Sequence, residues 1–378
     1  MIHFGFLSTY PPTRCGLATF TEALSAALIA EGHADARIVR VLDASGSHPL
    51  TMLGAHEVIA ADLVSGDRAS IGAAIQALNG CDVVIVQHEY GIYGGVDGDE
   101  VVDVLRDLTG PTIVVLHTVL TAPTPHQREV LEDVCDLASE IVVMTARARE
   151  LLVGQYAVDA ARVSVIPHGV PAWSGPAAAG ARDRMRVLTW GLISPGKGIE
   201  WGIRAMAQLD DLGTSVEYLA AGQTHPKVLA QFGESYRDML QGLTAELGVG
   251  DIVGIDGRYR SSEELAELIR SADVVLLPYD SRDQATSGVL AEAVAAGVPV
   301  VATGFPHAVE LLSGGAGLIV AHEDATAIAS ALRVILTSRD AAERMRAAAQ
   351  RDTADTSWPA VATRYRLLSE QLTAARVA

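Results

Sequence analysis

The chain has 378 residues, 49% of them hydrophobic and 20% charged, and its formal net charge at pH 7 is −18. This composition is typical of a globular α/β protein and excludes a disordered, collagenous or coiled-coil chain. The acidic balance, with no block of basic residues, argues against binding to a nucleic-acid backbone or an anionic bilayer. A chain of this length is expected to form two domains.

The three cysteines, Cys15, Cys81 and Cys135, lie far apart in the sequence. Their spacing fits neither a metal knuckle nor an even-numbered disulfide framework. The first residues enter a strand pattern with no basic segment before it, and the apolar runs elsewhere are too short to cross a bilayer. We therefore expect a cytoplasmic protein with free thiols, without a signal peptide or a membrane span.

Short β-branched runs alternate with longer amphipathic stretches, a pattern typical of βαβ units and a mostly parallel sheet. The first half of the chain contains six predicted strands, at residues 2–7, 36–42, 82–87, 112–117, 141–145 and 163–167. Helices are predicted between them, for example over residues 20–30 and 71–78. The second half contains five predicted strands, at residues 186–190, 216–220, 251–255, 274–278 and 300–303.

Between the two sets of strands, residues 171–180 hold two prolines and two glycines and show no hydrophobic period, which predicts a linker. We place an N-terminal Rossmann-like domain at residues 1–172, the linker at 173–180 and a second Rossmann-like domain at 181–358. Open parallel sheets bind ligands outside the carboxyl ends of their strands. The residues that follow each strand are therefore the candidates for a functional site.

A glycine-rich segment follows the first strand of the second set. Gly191, Gly196 and Lys197 lie between this strand and a helix, where backbone N–H groups and a lysine can form a phosphate cradle. Gly198 provides no hydroxyl for Mg²⁺ at the position where a Walker A motif has Ser or Thr, and Pro195 removes one N–H. These residues exclude a P-loop nucleotidase; the alternative to a phosphate cradle is an ordinary turn with a solvated lysine.

A second polar loop follows the strand predicted at residues 274–278. Thr286 or Ser287 can cap a small, apolar helix that starts near Gly288 and ends at Gly297, and the start of this helix is a second candidate anion site. Glu292 lies about one turn inside the helix, with no cationic partner nearby in the sequence. We interpret it as an acceptor for ligand hydroxyls, the alternative being a solvated glutamate.

These residues carry a resemblance to a known family. The second half of the chain resembles the retaining glycosyltransferase family 4, whose members share the glycine-rich lysine loop, a glutamate pair spaced E-x(7)-E and a following A-x-G-x-P-V-V strand. The first half agrees through residues 8–20, 87–95, 116–118 and 165–170. The resemblance implies an α/β fold of GT-B type: two Rossmann-like domains facing a central cleft, with a C-terminal helix at 359–378 that packs on the N-terminal domain.

The resemblance also implies roles for single residues of the second half. Lys197 would contact the diphosphate of a nucleotide-sugar donor, and Glu292 would hold the ribose hydroxyls. The implied donor-binding set further contains Gly191 in the lysine loop and the residues before and at the start of the following helix, namely Gln284, Thr286, Ser287 and Gly288.

In the first half, the resemblance implies that Gly16 lets helix N–H groups approach the same diphosphate, with Arg14 as a further cation. His117 would hydrogen-bond the transferred sugar and count with Lys197 and Glu292 among the catalytic residues. Other polar residues that follow strands are interpreted as contacts to the sugar or the acceptor, with a purely structural role as the alternative: His88, Glu89 and His168.

Two positions depart from the family pattern. Gln284 stands where the first glutamate of the pair is expected, and Leu192 stands where an arginine often follows the first loop glycine. Because an amide is a poor nucleophile, a double displacement through Gln284 is disfavoured. We therefore expect transfer on the front face, with Lys197 and helix dipoles stabilising the leaving diphosphate.

The functional prediction is a retaining hexosyltransferase that moves mannosyl or glucosyl from a GDP-mannose- or UDP-glucose-type donor to a saccharide hydroxyl. It needs no metal or cofactor, because Lys197 and the helix dipoles take the place of Mg²⁺, and we interpret Asp97-Gly98-Asp99 as a turn and not as a metal motif. Its partners are the donor and the acceptor, with no nucleic acid, while peripheral membrane contact and the oligomeric state stay open. The alternatives are a non-catalytic nucleotide-sugar sensor or assembly partner, and a GT-B epimerase.

Overall fold

The computed structural model describes residues 1–32, 34–43, 57–172, 183–351, 353 and 355–377. The chain divides into two compact units, a first unit of Met1–Gly169 with Thr356–Ala378 and a second unit of Val170–Asp355. The predicted linker at 173–180 lies outside the described residues. In this division, residues 170–172 group with the second unit and residues 356–358 with the first.

The first unit is built on a seven-stranded parallel sheet. The strands are β1 (Ile2–Ser8), β2 (Ala34–Leu42), β3 (Glu57–Val64), β4 (Val83–His88), β5 (Thr112–Leu116), β6 (Glu140–Val143) and β7 (Val163–Val165). They pair in the order β3-β2-β1-β4-β5-β6-β7. The order reverses between β1 and β4, and crevices for ligands form at such switch points.

Five helices connect these strands: α1 (Gly16–Ala30), α2 (Arg68–Leu78), α3 (Glu100–Arg106), α4 (Pro125–Leu137) and α5 (Ala146–Gln155). Every residue of β4 and β5 is buried, as expected for central strands of a parallel sheet that is covered on both faces. The carboxyl ends of these two strands therefore leave a rigid sheet, which fixes the residues that follow them.

The second unit contains a six-stranded parallel sheet of order β10-β9-β8-β11-β12-β13. Its strands are β8 (Met185–Trp190), β9 (Val216–Ala221), β10 (Val253–Asp256), β11 (Val274–Leu277), β12 (Val300–Thr303) and β13 (Gly317–Val320). Its helices are α6 (Ile199–Met206), α7 (Pro226–Phe232), α8 (Ser235–Glu246), α9 (Ser262–Arg270), α10 (Gly288–Ala295), α11 (Pro306–Leu311), α12 (Ala325–Thr337) and α13 (Arg339–Arg351).

The last helix, α14 (Trp358–Val377), belongs to the first unit. Val361, Ala362 and Tyr365 join the same buried cluster as residues of α1, and Glu31 at the end of α1 accepts hydrogen bonds from Thr363 Oγ1 and Arg366 Nε, each at 2.7 Å. The expectation that the C-terminal helix packs on the N-terminal domain is therefore confirmed.

Two strands of the structure, β3 and β13, have no counterpart among the predicted strands. Both lie at an edge of their sheet. An edge strand is half exposed, so its sequence is less apolar than that of a central strand. This holds for β3, which contains Glu57 and Asp62, whereas the four residues of β13, Gly317–Val320, are apolar and were overlooked despite their composition.

Candidate functional site

The lysine loop connects β8 to α6 and depends on glycine. Gly191, Gly196 and Gly198 all have positive φ angles, of 120°, 86° and 62°. At Gly198, which directly precedes α6, a Cβ atom would also collide with the carbonyl oxygen of Pro278 at the end of β11. Only glycine combines this backbone angle with so close an approach, and the loop is thereby held against the neighbouring strand.

Lys197 lies half-buried at the start of α6, with its Nζ 4.2 Å from the centroid of the Tyr279 ring. Tyr279 is buried, and its ring stacks on Phe305 with 5.4 Å between centroids. Within the described part of the chain, Lys197 has no carboxylate partner. The aromatic face holds the ammonium without neutralising it, so its charge is available to an anion.

Backbone hydrogen bonds join the ends of three adjacent strands. The N–H of Gly191 donates to Ala221 O at 3.1 Å, and the N–H of Gly222 donates to Asp256 O at 2.8 Å. Ile193 of the lysine loop also forms a bridge to Thr224. The loops that follow β8, β9 and β10 therefore form one continuous rigid edge.

His225, at the end of this edge, was not among the predicted site residues. Its Nδ1 accepts the N–H of Lys227 at 3.2 Å, so the proton of the neutral ring is on Nε2. Burial, together with the charges of Lys227 and Lys197, lowers its pKa. Nothing in its sequence neighbourhood connects it with Lys197, because the two residues meet only through the pairing of their loops.

Ser287 caps α10, which begins at Gly288. Its hydroxyl accepts the N–H of Leu290 at 3.2 Å, and its own N–H donates to His307 Nδ1 at 2.8 Å. Gln284 donates through Nε2 to the carbonyl oxygen of Thr286 at 3.1 Å. The loop before α10 is therefore ordered by hydrogen bonds, and the buried His307, which the sequence did not single out, fixes the start of the helix.

Glu292 is the fifth residue of α10, and its carboxyl group hydrogen-bonds the Trp190 indole at the end of β8. Burial raises the pKa of Glu292 to about 7, and the indole donor opposes this shift only in part. Glu292 is half-buried, and a carboxyl group with few donors around it can accept hydrogen bonds from ligand hydroxyls. The second unit thus brings Gly191, Lys197, Ser287 and Glu292 together at the carboxyl ends of β8 and β11.

In the first unit, Gly16 is the first residue of α1, and Arg14 precedes it on the surface. Gly16 is exposed, and a Cβ atom built on it would meet no atom within 4 Å. The first turn of α1 contains no acidic residue, so the partial positive charge of this helix end is not compensated there. Both residues follow β1, as the sequence predicted.

The first unit also brings His117 and His168 together around Phe20, with ring centroids 5.0 and 5.1 Å from that of Phe20. His117 Nε2 hydrogen-bonds Gln87 Oε1 at 2.7 Å, and His168 Nδ1 donates to the carbonyl oxygen of Gly169 at 2.7 Å. Burial lowers the pKa of His117 to about 3 and that of His168 to about 4. Both imidazoles are therefore neutral at pH 7.

His88, the last residue of β4, is fully buried, and neither ring nitrogen has a hydrogen-bond partner among the described residues. Burial lowers its pKa to about 4. The next residue, Glu89, accepts a hydrogen bond from Thr118 Oγ1 at 2.5 Å. Neutral imidazoles with free donor or acceptor positions suit the hydroxyl groups of a sugar.

The Asp97-Gly98-Asp99 segment forms a turn, as expected, with Asp97 at φ 50° and its carboxylate 3.0 Å from His126 Nδ1.

Over the described ranges, no group of three or more His, Cys, Asp or Glu side chains could hold a metal ion. None of the described helices is both long and apolar enough to cross a membrane.

Two doubly wound parallel sheets of this kind form the GT-B fold. A sucrose-phosphate synthase from Thermosynechococcus elongatus shares this fold, with a TM-score of 0.78 and 21% identity over 99% of this chain and 100% of that chain. Anabaena Alr3699/HepE, solved with UDP and glucose, has a TM-score of 0.75 and 16% identity, and the match covers 98% of this chain and 100% of that chain. The predicted fold is confirmed.

Residues 179–352 match the family model of glycosyl transferases group 1, so this part of the chain is similar to that family. The D-inositol 3-phosphate glycosyltransferase of Streptomyces coelicolor is 31% identical over 273 residues, 64% of this chain and 57% of that protein. The D-inositol 3-phosphate glycosyltransferase of Mycolicibacterium vanbaalenii is 32% identical over 243 residues, which make up 60% of this chain and 52% of that protein. The chain thus spans little more than half the length of these curated relatives.

Proposed function

We propose that the chain is a retaining hexosyltransferase. It moves mannosyl or glucosyl from a GDP-mannose- or UDP-glucose-type donor to a hydroxyl of a saccharide-like acceptor, forming an α-glycosidic bond. The observation that carries this proposal is that the ammonium of Lys197, without a described carboxylate partner, and the half-buried carboxyl group of Glu292 lie at the same sheet edge. The first suits a diphosphate and the second the hydroxyls of a ribose.

Lys197 stabilises the charge that develops on the diphosphate when the bond to the sugar breaks, and the N-terminus of α10 adds its partial positive charge. The acceptor oxygen forms the new bond on the same face of the sugar, and its proton passes to the leaving diphosphate. Gln284 is neutral and donates its amide N–H to Thr286, so it provides no covalent nucleophile. The protein contributes alignment and electrostatics.

The neutral histidines of the first unit provide contacts to the transferred sugar or to the acceptor. His117 and His168 are half-buried, and each has one ring nitrogen in a described hydrogen bond, with Gln87 and with Gly169, whereas His88 is fully buried at the end of β4. The curated relatives are named for inositol 3-phosphate, which is a phosphorylated cyclic polyol. A phosphorylated polyol is therefore the first acceptor to screen, followed by free sugars and sugar phosphates.

We propose that the reaction needs no metal, because Lys197 and a helix N-terminus supply the positive charge that Mg²⁺ would otherwise provide. Turnover should therefore persist in excess EDTA. Loss of turnover in EDTA, with recovery on adding Mg²⁺ or Mn²⁺, would show that a divalent ion takes part.

The experiment that tests the function has two steps. Thermal unfolding is first followed with UDP, GDP, ADP and their sugar conjugates; a ligand at 100 times its Kd adds about 2.7 kcal/mol of stability. The stabilising nucleotide sugar is then incubated with candidate acceptors, and release of the nucleoside diphosphate and the anomeric configuration of the product are measured. Release that depends on the acceptor, with an α-linked product, is the expected result.

Other outcomes would point elsewhere. Binding without turnover in any acceptor screen would favour a nucleotide-sugar sensor, a reading to which the replacements Gln284 and Leu192 lend weight. Conversion of the nucleotide sugar in the absence of any acceptor would favour an epimerase. If no nucleotide shifts the unfolding temperature, the assignment of the Lys197 and Glu292 site is wrong.

A further inference from the structure

Two half-buried histidines of the first unit each keep one ring nitrogen open. His168 Nδ1 bonds the carbonyl oxygen of Gly169, and His117 Nε2 bonds Gln87 Oε1, both at 2.7 Å. The other two nitrogens, His168 Nε2 and His117 Nδ1, have no hydrogen-bond partner among the described residues. Unlike the two ring nitrogens of His88, they are not sealed from solvent.

The partners of the bonded nitrogens decide where each ring carries its proton. A backbone carbonyl oxygen and an amide oxygen can only accept, so the proton of a neutral ring lies on the bonded nitrogen. Both rings are neutral at pH 7, because burial lowers the pKa of His117 to about 3 and that of His168 to about 4. The open nitrogens therefore present lone pairs and can only accept hydrogen bonds.

Two oxygen groups beside these rings are acceptors as well. Thr118, the neighbour of His117 in the chain, donates its hydroxyl proton to Glu89 Oε2 at 2.5 Å, which leaves Thr118 Oγ1 with lone pairs only. Both side chains are half-buried. Glu89 follows β4 and Thr118 follows β5, and the backbone N–H of His117 donates to the carbonyl oxygen of His88 at 3.1 Å, which joins the ends of the two strands.

We call the set of His117 Nδ1, His168 Nε2, Thr118 Oγ1 and the Glu89 carboxylate the lone-pair face. Both histidine rings pack edge-on against Phe20 of α1, with centroid distances of 5.0 and 5.1 Å. The strand order of this sheet reverses between β1 and β4, at the same edge. Open parallel sheets bind their ligands at such a point.

The cations near this edge have other partners. Residues 1–169 and 356–378 contain no lysine. On the helices that follow β5 and β6, three arginines are held by carbonyl oxygens, an aromatic ring or a glutamate of the same helix, namely Arg128, Arg149 and Arg147. Arg14 is the cation that the resemblance assigns to the diphosphate. An anion on the lone-pair face would therefore meet the charge of Glu89, and like charges in contact are unfavourable.

We propose that the lone-pair face binds an uncharged polyhydroxyl ring and excludes a ring that carries a carboxylate or a phosphate. Each hydroxyl of a sugar or cyclic polyol brings the proton that these acceptors lack. A carboxylate or phosphate brings lone pairs and a second negative charge, so its oxygens stay unpaired there. This inference rests on the proposed function and narrows its substrates: the ring on the face, whether the transferred hexosyl group or the acceptor, is uncharged.

The test has a donor arm and an acceptor arm, which distinguish the two rings. The donor arm compares the nucleotide sugar that binds with its uronic acid, UDP-glucose with UDP-glucuronic acid or GDP-mannose with GDP-mannuronic acid. The acceptor arm compares the free and phosphorylated forms of the acceptor that passes the screen, such as inositol with inositol 3-phosphate. In both arms, kcat/KM of the full chain is measured from the release of nucleoside diphosphate.

One substitution changes the charge of the face with little change of shape. Glu89→Gln keeps an oxygen for the Thr118 hydroxyl, removes the negative charge and adds an N–H donor. Glu370→Gln is the matched control, because Glu370 is 48% exposed and pairs with Arg366 on its own helix, α14. Its position is twelve residues beyond Trp358, about 18 Å along that helix.

In the wild-type chain, kcat/KM for the uncharged ring should exceed that for its anionic counterpart by at least ~100-fold in one arm, which identifies the ring on the face. Glu89→Gln should reduce this ratio by about 10-fold or more, and Glu370→Gln should leave it within about 3-fold of the wild type. Nitrogen-15 NMR at pH 7, assigned with His117→Gln and His168→Gln, should show His117 Nδ1 and His168 Nε2 without a proton.

Three results would overturn the inference and leave the proposed function intact. One is an anionic ring that reacts as well as its uncharged counterpart in both arms. The second is a ratio that Glu89→Gln and Glu370→Gln change alike. The third is a proton on His117 Nδ1 or His168 Nε2, since that ring would then offer a donor to an anion. If no nucleotide sugar supports transfer to any acceptor, the proposed function fails, and the inference fails with it.

Discussion

The raised pKa of Glu292 has consequences for stability and, under the proposed function, for binding. Its pKa in the folded chain is about 7, against a usual value of 4.5, because burial disfavours the carboxylate. At neutral pH, the group is therefore divided between its neutral and ionised forms. A ribose that donates hydrogen bonds to the carboxylate would replace the lost water and draw the pKa back down.

We predict that the affinity for the donor nucleotide depends on pH through this group. If only the ionised form of Glu292 binds the ribose, binding at pH 5.5 should be roughly 30-fold weaker than at pH 8.5. The Glu292→Gln variant should lose this component and keep only the dependence that the phosphates of the nucleotide impose. Calorimetric titrations of both proteins across this range measure the difference; parallel curves would contradict the prediction.

The same shift predicts an effect on stability. A carboxyl group whose folded pKa is raised favours the folded state below its unfolded pKa, and that contribution is lost as pH rises through about 7. Glu292→Gln should therefore be more stable than the wild type at pH 8 and equally stable near pH 4. Denaturant unfolding at the two pH values tests this, with the surface substitution Glu246→Gln as a control that should show no such difference.

Lys197 allows an unusually clean test, because the chain has only one other lysine, Lys227. Lys197→Ala removes the cation that faces the leaving diphosphate, and by analogy with the loss of an oxyanion donor it should lower the turnover rate by roughly 100-fold or more. Lys227→Ala removes an exposed ammonium on α7 and should stay within about 3-fold of the wild type. Near-normal turnover of Lys197→Ala would rule out its assigned role.

At the residue scale, sequence reasoning identified the side chains whose neighbours in the chain reveal them. Lys197 is found through its glycines and Glu292 through the apolar helix around it. Tyr279 and His307 are different, because each contacts a segment that is distant in sequence, and no local pattern indicates the contact. The roles assigned to Gly16, Arg14 and the histidines of the first unit stay predictions.

At the element scale, the lysine loop depends on the contact between Gly198 and the carbonyl oxygen of Pro278. Gly198→Ala places a Cβ against this backbone oxygen and forces a positive φ angle on alanine. We expect a loss of about 2–3 kcal/mol in the free energy of unfolding and weaker nucleotide binding, since the loop must shift.

Gly196→Ala is the matched control for this substitution. Gly196 also has a positive φ angle, of 86°, but a Cβ there would meet no atom within 4 Å. Gly196→Ala should lower the free energy of unfolding by only about 1 kcal/mol, because it adds backbone strain but no collision. If urea denaturation gives the same loss for both variants, the approach to Pro278 is not what constrains the loop.

The success of sequence reasoning for whole elements depended on where each element lies. The central strands were predicted from their apolar runs, whereas the edge strand β3 was missed because acidic residues interrupt it, and the edge strand β13 was missed although its four residues are apolar. In α14, Leu367 is apolar but 48% exposed, because it lies off the buried face of the helix. Residues 361, 365, 368 and 372 follow the helical period, and residue 367 does not.

At the scale of the whole molecule, the first unit is assembled from two separate parts of the chain. Tyr365 of α14 is fully buried in the core that Phe20 and Leu24 of α1 also form, and its hydroxyl has no partner among the described residues. Tyr365→Ala should therefore cost about 3–5 kcal/mol in the free energy of unfolding.

Tyr365→Phe keeps the ring and removes only the unpaired hydroxyl, so it should be as stable as the wild type or more so. Leu367→Ala, on the exposed face of the same helix, should change stability by less than about 0.5 kcal/mol. Unfolding curves of the three variants would contradict this account if Tyr365→Ala proved as mild as Leu367→Ala.

The dependence of the first unit on α14 also has a consequence for synthesis on the ribosome. Domains usually fold in order from the N-terminus as they emerge. Here residues 1–169 emerge first but lack Val361, Ala362 and Tyr365, which cover part of their core. The second unit, which is continuous in sequence, can complete its fold earlier, so the nascent chain exposes an uncovered face beside α1 until the last helix has been made.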